Sequence, residues 1–286
     1  MDELSDATFE RLSLDESLRR TFSVYRRGFG IFTLIAVLFS AIMAALWAIL
    51  LPILLALLNV DGKDFVDPDY LVDHMKQFYL LLGVNWVLSM LLGAVAQGMM
   101  IKAVADVYLE QAPAFKDCFK IGLKKAGVIL LASLLVIVPI TFGSLFFLVP
   151  GIYLAVQWFV VGPAIVIENK GVVGSMKRSW ELVSGSWCYV FCTFLIVTFS
   201  SAVFQWIWGA LVVGGTDVGH TLFSAVGYVL ALIPGVVVIP ITGIVRTVMY
   251  FNLRVEKEGL NAHVLSRDLG GPAAYTTLMG DEETGI

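Results

Sequence analysis

The sequence predicts an all-α membrane protein: six transmembrane helices arranged as three hairpins, each preceded by a basic amphipathic helix on the cytosolic side. Three observations predict it. Hydrophobic residues make up 58% of the 286 and the mean hydropathy is +0.86, well above the apolar share of a soluble domain. Charged residues, 15% of the chain, sit in blocks between uncharged runs long enough to cross about 30 Å of hydrocarbon. The basic residues are also one-sided. Of the 19 Lys and Arg, all but Lys63 and Lys76 lie in or beside the N-terminal arm, two connectors and the tail. The positive-inside rule then places both termini in the cytosol and makes the chain integral to a membrane. The net charge of -4 says less, because in a membrane protein the distribution of charge decides more than its sum.

Residues 1–28 read as a cytosolic amphipathic arm. Ser13 and Glu16 fit a capping box, Leu14, Leu18, Phe22 and Tyr25 form an apolar stripe, and Arg19, Arg20, Arg26 and Arg27 crowd the other side. No signal peptide is visible, since the first ten residues lean acidic and the first apolar run starts near Ile31. The membrane domain covers 29–254. Ile31 to Leu58 is the first span. Asp61 to Asp73 is a polar loop with five aspartates. Gln77 to Ile101 is the second span, and Lys102 and Asp106 at its exit are spaced to pair at i,i+4.

The connector 113–125 carries Phe115, Cys118 and Phe119 on one side and four lysines elsewhere. Ala126 to Val149 is the third span, and Pro150-Gly151 is a turn signal leading into the fourth, Ile152 to Ile167. Glu168-Asn169-Lys170-Gly171 ends that run. In the connector 172–185, Val173, Met176, Trp180 and Val183 share one helical face, Lys177, Arg178 and Glu181 take the other, and Gly185 is placed to stop the helix. Trp187 to about Val213 is the fifth span, followed by a short loop from Gly214 to His220.

The sixth span has two readings. Thr221 to Val245 is charge-free, yet Pro234-Gly235 cuts it in the middle. It forms either one kinked helix ending at Arg246, preferred because it keeps that charge at the interface, or a half-helix and turn before a crossing from Val236 to Asn252. Residues 255–286 read as a cytosolic, largely disordered tail, in which Tyr275-Thr276-Thr277-Leu278 resembles a tyrosine-based sorting signal.

An internal repeat underlies the three hairpins. The arm, 113–125 and 172–185 superpose without gaps at offsets of 97 and 158. Leu18, Phe115 and Met176 coincide, as do Phe22, Phe119 and Trp180, and Arg19, Lys116 and Lys177 on the polar face. The competing account is that any amphipathic helix before a span aligns this way by chance.

The residues point away from catalysis. Metal-assisted or acid–base hydrolysis needs clustered His and carboxylate ligands, whereas His74, His220 and His263 are scattered over two outer loops and the tail. No Gly-rich phosphate loop, nucleophile elbow or metal-ligand spacing appears, so neither cofactor nor metal is expected. Cys118, Cys188 and Cys192 give no disulfide framework, and the last two read as small buried thiols. The basic clusters flank membrane spans, where topology and the anionic cytosolic leaflet account for them without nucleic acid.

Candidate functional residues fall in two groups. Asn85, Gln97, Gln157 and Gln205 lie at membrane depth, where interhelical hydrogen bonding competes with a substrate route. Glu168, Arg178, Glu181 and Arg254 collect at the cytosolic boundary as a charge cluster, either a structural clamp or a ligand site. Gly162-Pro163 and Pro234-Gly235 break two helices, and interrupted helices host binding sites in some transporters.

The pattern Pro150-Gly151-x-Tyr153-Leu154, then Glu168, then Ser175-Met176-Lys177-Arg178-Ser179-Trp180 with Leu182 and Gly185, resembles the membrane-domain family named after glycerophosphodiester phosphodiesterase, and related uncharacterised multi-pass proteins. Tyr250, Leu253-Arg254 and Glu258-Gly259 are similar to the close of that family's last helix. The resemblance implies six membrane helices with cytosolic connectors. It does not imply phosphodiesterase activity, because that family's catalytic barrel is absent from this chain.

Two functions follow as expectations. The first is a non-enzymatic scaffold or modulator of membrane organisation, touching membrane lipids, a second copy of the chain or another membrane protein. The alternative is a transporter of a small solute or lipid using the broken helices. A scaffold requires a filled bundle; a transporter requires a polar cavity near Gln97 and Gln157.

Overall fold

The structure, a computed structural model, describes residues 14–58, 68–216 and 233–258. Ser13 of the capping box, the aspartates at 61–67, the loop at 217–220, the first half of the sixth span and the tail with Tyr275-Thr276-Thr277-Leu278 lie outside the described residues. Nine helices follow one another among the described residues: α1 (Leu14–Arg27), α2 (Phe29–Leu58), α3 (Pro68–Tyr108), α4 (Phe115–Phe146), α5 (Leu148–Gln157), α6 (Val161–Ile167), α7 (Val172–Val183), α8 (Trp187–Thr216) and α9 (Ile233–Glu258). There is no strand among them. Six segments are long and apolar enough to cross a membrane: Phe29–Leu50, Met75–Tyr108, Phe115–Phe146, Leu148–Ile167, Trp187–Ile207 and Gly235–Glu258.

Several boundaries move from their expected places, each for a local reason. α3 already begins at Pro68, inside the expected polar loop, because proline is well suited to the first helical turn. The connector 113–125 is not a separate helix. It runs unbroken into the third span as α4, since no proline or turn pair interrupts Lys124-Lys125-Ala126. The turn between the third and fourth spans falls at Phe147, which is extended at φ -152 and ψ 127. Pro150 sits in the first turn of α5, where its missing N–H has no helical acceptor to lose. Gly151 serves the turn by closeness instead: a Cβ there would lie 1.9 Å from Ser144 Oγ.

The fourth span is broken at Trp158–Val160, just ahead of the Gly162-Pro163 signal. Pro163 has no N–H for the Phe159 carbonyl, and its ring crowds that carbonyl, so the helix yields one turn upstream. α9 continues through Arg246 to Glu258. Arg246 is therefore inside the last helix rather than at its end, which excludes a span that stops there, while the half-helix of the other reading rests on residues outside the described ones. Gly185 ends α7 as expected, at φ +91 in the left-handed region that favours glycine.

The closest packing joins α3 to α4. A Cβ on Gly98 would stand 2.9 Å from Gly122 Cα, so two glycines let these helices touch backbone to backbone. The interior is built around α6, whose residues are all buried, and the second half of α9, where Tyr250, Phe251 and Leu253 are sealed. Large side chains such as Phe146, Phe199 and Trp206 face outward, as lipid contact requires.

That outward apolarity overturns the expectation that two of the cysteines are buried. Cys188 and Cys192 are exposed on α8 and only Cys118 is buried. α7 turns Ser175, Ser179, Leu182 and Val183 to the bundle and leaves Val173 and Trp180 exposed. α1 presents Ser17 and Val24 inward and leaves Phe22 exposed. Bilayer and interior are both apolar, so the greasier side of a helix does not mark the packed side.

Candidate functional site

Two polar constellations emerge from this packing. The first lies where the α6–α7 loop, α7 and the end of α9 converge. Glu168 C-caps α6, with its side chain 9% exposed. Its Oε1 accepts a hydrogen bond from Arg178 Nε at 2.7 Å and another from Tyr250 Oη at 2.5 Å. Its Oε2 pairs with Lys170 Nζ at 2.8 Å. Arg254 Nε stands 3.8 Å from Glu168 and donates to Glu258 Oε2 at 3.0 Å. Arg178 Nη2 closes the ring by pairing with Glu258.

Glu168, Arg178 and Arg254 of the expected cluster thus meet, and Glu181 does not. Glu181 faces Lys177 at 3.9 Å on the exposed side of α7. Its backbone carbonyl and that of Ser184 instead accept from Lys257, tying α7 to the end of α9. Glu258 takes the role expected of Glu181. Tyr250 and Glu258 carried a signal, the Tyr250, Leu253-Arg254, Glu258 pattern at the close of the last helix.

Burial raises the affinity of the Glu168 carboxyl for its proton. The hydrogen bonds from Lys170, Tyr250 and Arg178, with the Arg178 charge, outweigh it and hold the group below the usual carboxylate value. For Arg178, burial works against the charge, and the bonds and charges of Glu168 and Glu258 reverse that, so its guanidinium is held more firmly charged than usual.

The second constellation is a cavity of about 190 Å³ inside the bundle, between α3, α4, the broken α5–α6 pair, α8 and α9. Gln97, Ser133, Trp158, Phe159, Phe194 and Arg246 are among its walls. The break creates it. Phe159 and Val160 leave the helical path, and the Val161 N–H turns to the Trp158 carbonyl at 3.4 Å. The Gln157 carbonyl, so deprived of its usual partner, accepts from Ser179 Oγ at 2.7 Å. Small residues then let the walls close in: a Cβ on Gly162 would meet Gln97 Nε2 at 2.7 Å.

Arg246 is the residue sequence reasoning misplaced. Its Nε is sealed from solvent with no hydrogen-bond partner among the described residues, and its guanidinium lies 5.3 Å from the centre of the Phe159 ring. The residue as a whole keeps some accessible surface, because it lines the cavity. Of the expected intramembrane polar residues, Gln97 is at the cavity. Gln157 is buried, donating to Tyr153 Oη at 3.0 Å while its Oε1 has no partner among the described residues. Asn85 is buried elsewhere on α3, and Gln205 is exposed on α8. Among the described residues no three His, Cys, Asp or Glu side chains are grouped to hold a metal ion.

Six apolar helices, a charge-locked end and a polar cavity within the bundle define a helical multi-pass membrane protein. Within that class the chain belongs to a family described as a domain of unknown function (DUF7847), whose profile matches residues 30–253. The resemblance to the membrane-domain family named after glycerophosphodiester phosphodiesterase gains no support from this match. No curated protein and no solved structure matches the chain.

Proposed function

We propose that the chain is a non-enzymatic membrane protein that admits a small solute or lipid to a cavity in its bundle, the transporter alternative raised by the sequence. One observation carries this reading: the cavity beside the broken fourth span, with Gln97 and Arg246 in its wall. A bundle that served only as a scaffold would gain by filling that space, since unfilled volume costs packing energy and polar groups at membrane depth cost solvation.

The test is water access. Ser133→Cys would be made with Cys188 and Cys192 replaced by Ala, leaving the buried Cys118 as internal control. Modification by a charged, water-borne thiol reagent supports a solute route. Reaction with a neutral permeant reagent alone would leave a dry pocket and end this reading.

A scaffold role in membrane organisation keeps one observation in its favour. Arg19, Arg26 and Arg27 of α1 surround an open depression beside Phe22, a basic rim over an apolar anchor suited to anionic lipid headgroups. Both readings place α1 and the charge-locked end in the cytosol, as the distribution of Lys and Arg favours. A cysteine introduced at Asp73 should then react from the opposite side only.

A further inference from the structure

We propose that the cavity is a carboxylate site in which the Arg246 guanidinium binds the ligand's charged end. This rests on the solute reading above and adds the chemical class of the solute.

Arg246 stands within the membrane-crossing segment Gly235–Glu258, with its Nε sealed and the residue only partly exposed, at the cavity rather than at an interface. Such a charge is tolerated when paired, and among the described residues Arg246 has neither ion pair nor hydrogen bond. Its contact with the face of Phe159 attracts a cation weakly and leaves the N–H donors unused. The charged groups at the ends of the neighbouring helices pair with one another. Lys102 pairs with Asp106, and Glu168 and Glu258 are held by Arg178, Arg254 and Lys170.

The cavity wall supplies donors and no negative charge. Gln97 offers an amide and Ser133 a hydroxyl, and no Asp or Glu lines the space. One cation at membrane depth is neutralised by one negative charge; a dianion would leave a net charge of its own there. A carboxylate matches the planar guanidinium fork with two parallel hydrogen bonds, and Gln97 and Ser133 can satisfy its remaining lone pairs. Ile129, Val136, Ile140 and Phe194 are among the apolar residues that make up most of the remaining lining, so the rest of the ligand is apolar. The bound species is therefore a monocarboxylate with an aliphatic body. It arrives either from water, as a short-chain acid, or from the bilayer, as a fatty acid.

The experiment uses the full-length protein in detergent, with hexanoate, laurate and chloride as probes of thermal stability. Hexanoate or laurate should raise the melting temperature of the wild type in a saturable way, and chloride at equal concentration should not. A response to hexanoate assigns an aqueous source, and one to laurate alone a membrane source. Arg246→Gln should weaken the effective affinity by roughly tenfold to a hundredfold, the loss expected for a charge-assisted pair, and Arg246→Lys should recover part of it. Without ligand, Arg246→Gln should melt no lower than wild type, because it removes an uncompensated charge.

A lower melting point for the unliganded Arg246→Gln protein would show Arg246 to be a structural ion and overturn the assignment. So would equal stabilisation by chloride, a shift that survives Arg246→Gln, or no shift with either acid. If Ser133→Cys is water-accessible while these shifts fail, the ligand class alone is wrong. If Ser133→Cys is also inert, the solute reading falls with it.

Discussion

Replacing Glu168 by Gln tests the physical account of the charge-locked end most directly. The carboxylate is 9% exposed and serves three elements: Arg178 on α7 at 2.7 Å, Tyr250 on α9 at 2.5 Å and Lys170 in the loop at 2.8 Å. An amide keeps one acceptor oxygen and the shape, but loses the charge that holds two guanidinia. Arg178 and Arg254, 14% and 7% exposed, would then share Glu258 as their remaining counter-ion. Breaking a buried pair by removing one partner costs about 3–5 kcal/mol, and the surviving Glu258 contacts bring the expectation to about 3 kcal/mol. For a domain of this size that is a fall of roughly 6–12 °C in melting temperature. The matched control is Glu110→Gln. Glu110 meets Arg27 at 3.2 Å with both side chains more than half exposed, and such a pair is worth about 0–1 kcal/mol. The assay is thermal unfolding of the two variants in the same detergent. Equal melting temperatures would refute the clamp, and unchanged stability with lost binding in Glu168→Gln would make these residues a ligand site instead.

Three further outcomes are expected. Because the folded Glu168 carboxyl titrates below its ordinary value of 4.5, its stabilisation is complete above that value and fades as pH falls through the lower folded one; melting followed from pH 6 downward should steepen below about 4.5 in wild type, and Glu168→Gln should lose that component. Gly122→Val should destabilise the protein by at least about 1–3 kcal/mol, because a Cβ there already falls 2.6 Å from Met99 Cγ and 2.8 Å from the Val95 carbonyl oxygen, so α3 and α4 must part. Ser179→Ala should cost about 1–3 kcal/mol by leaving the Gln157 carbonyl unmet at the helix break, whereas Ser184→Ala, whose hydroxyl only bonds back within its own exposed turn, should cost little in the same melts.

Much of this architecture is legible in the chain because bilayer physics acts on short windows of sequence. Uncharged runs mark five of the six helices long and apolar enough to cross a membrane, while the sixth lies further along the chain than its uncharged run, and Gly185 marks a stop by its conformational freedom alone. Pairs one turn apart, Lys102 with Asp106 and Lys177 with Glu181, follow from helical geometry without any tertiary information. Partners across the fold were decided only by packing. Glu168 binds Tyr250, 82 positions away, and the second carboxylate of the cluster is Glu258 rather than Glu181 because α7 rolls its serines inward. Hydrophobic pattern could not foresee that roll, since lipid and core reward the same side chains, and the inward face of α7 includes Ser179, which meets the carbonyl orphaned at the break in the fourth span. The same break set Arg246 beside a cavity, turning what reads locally as the charged end of a helix into a cation inside the bundle.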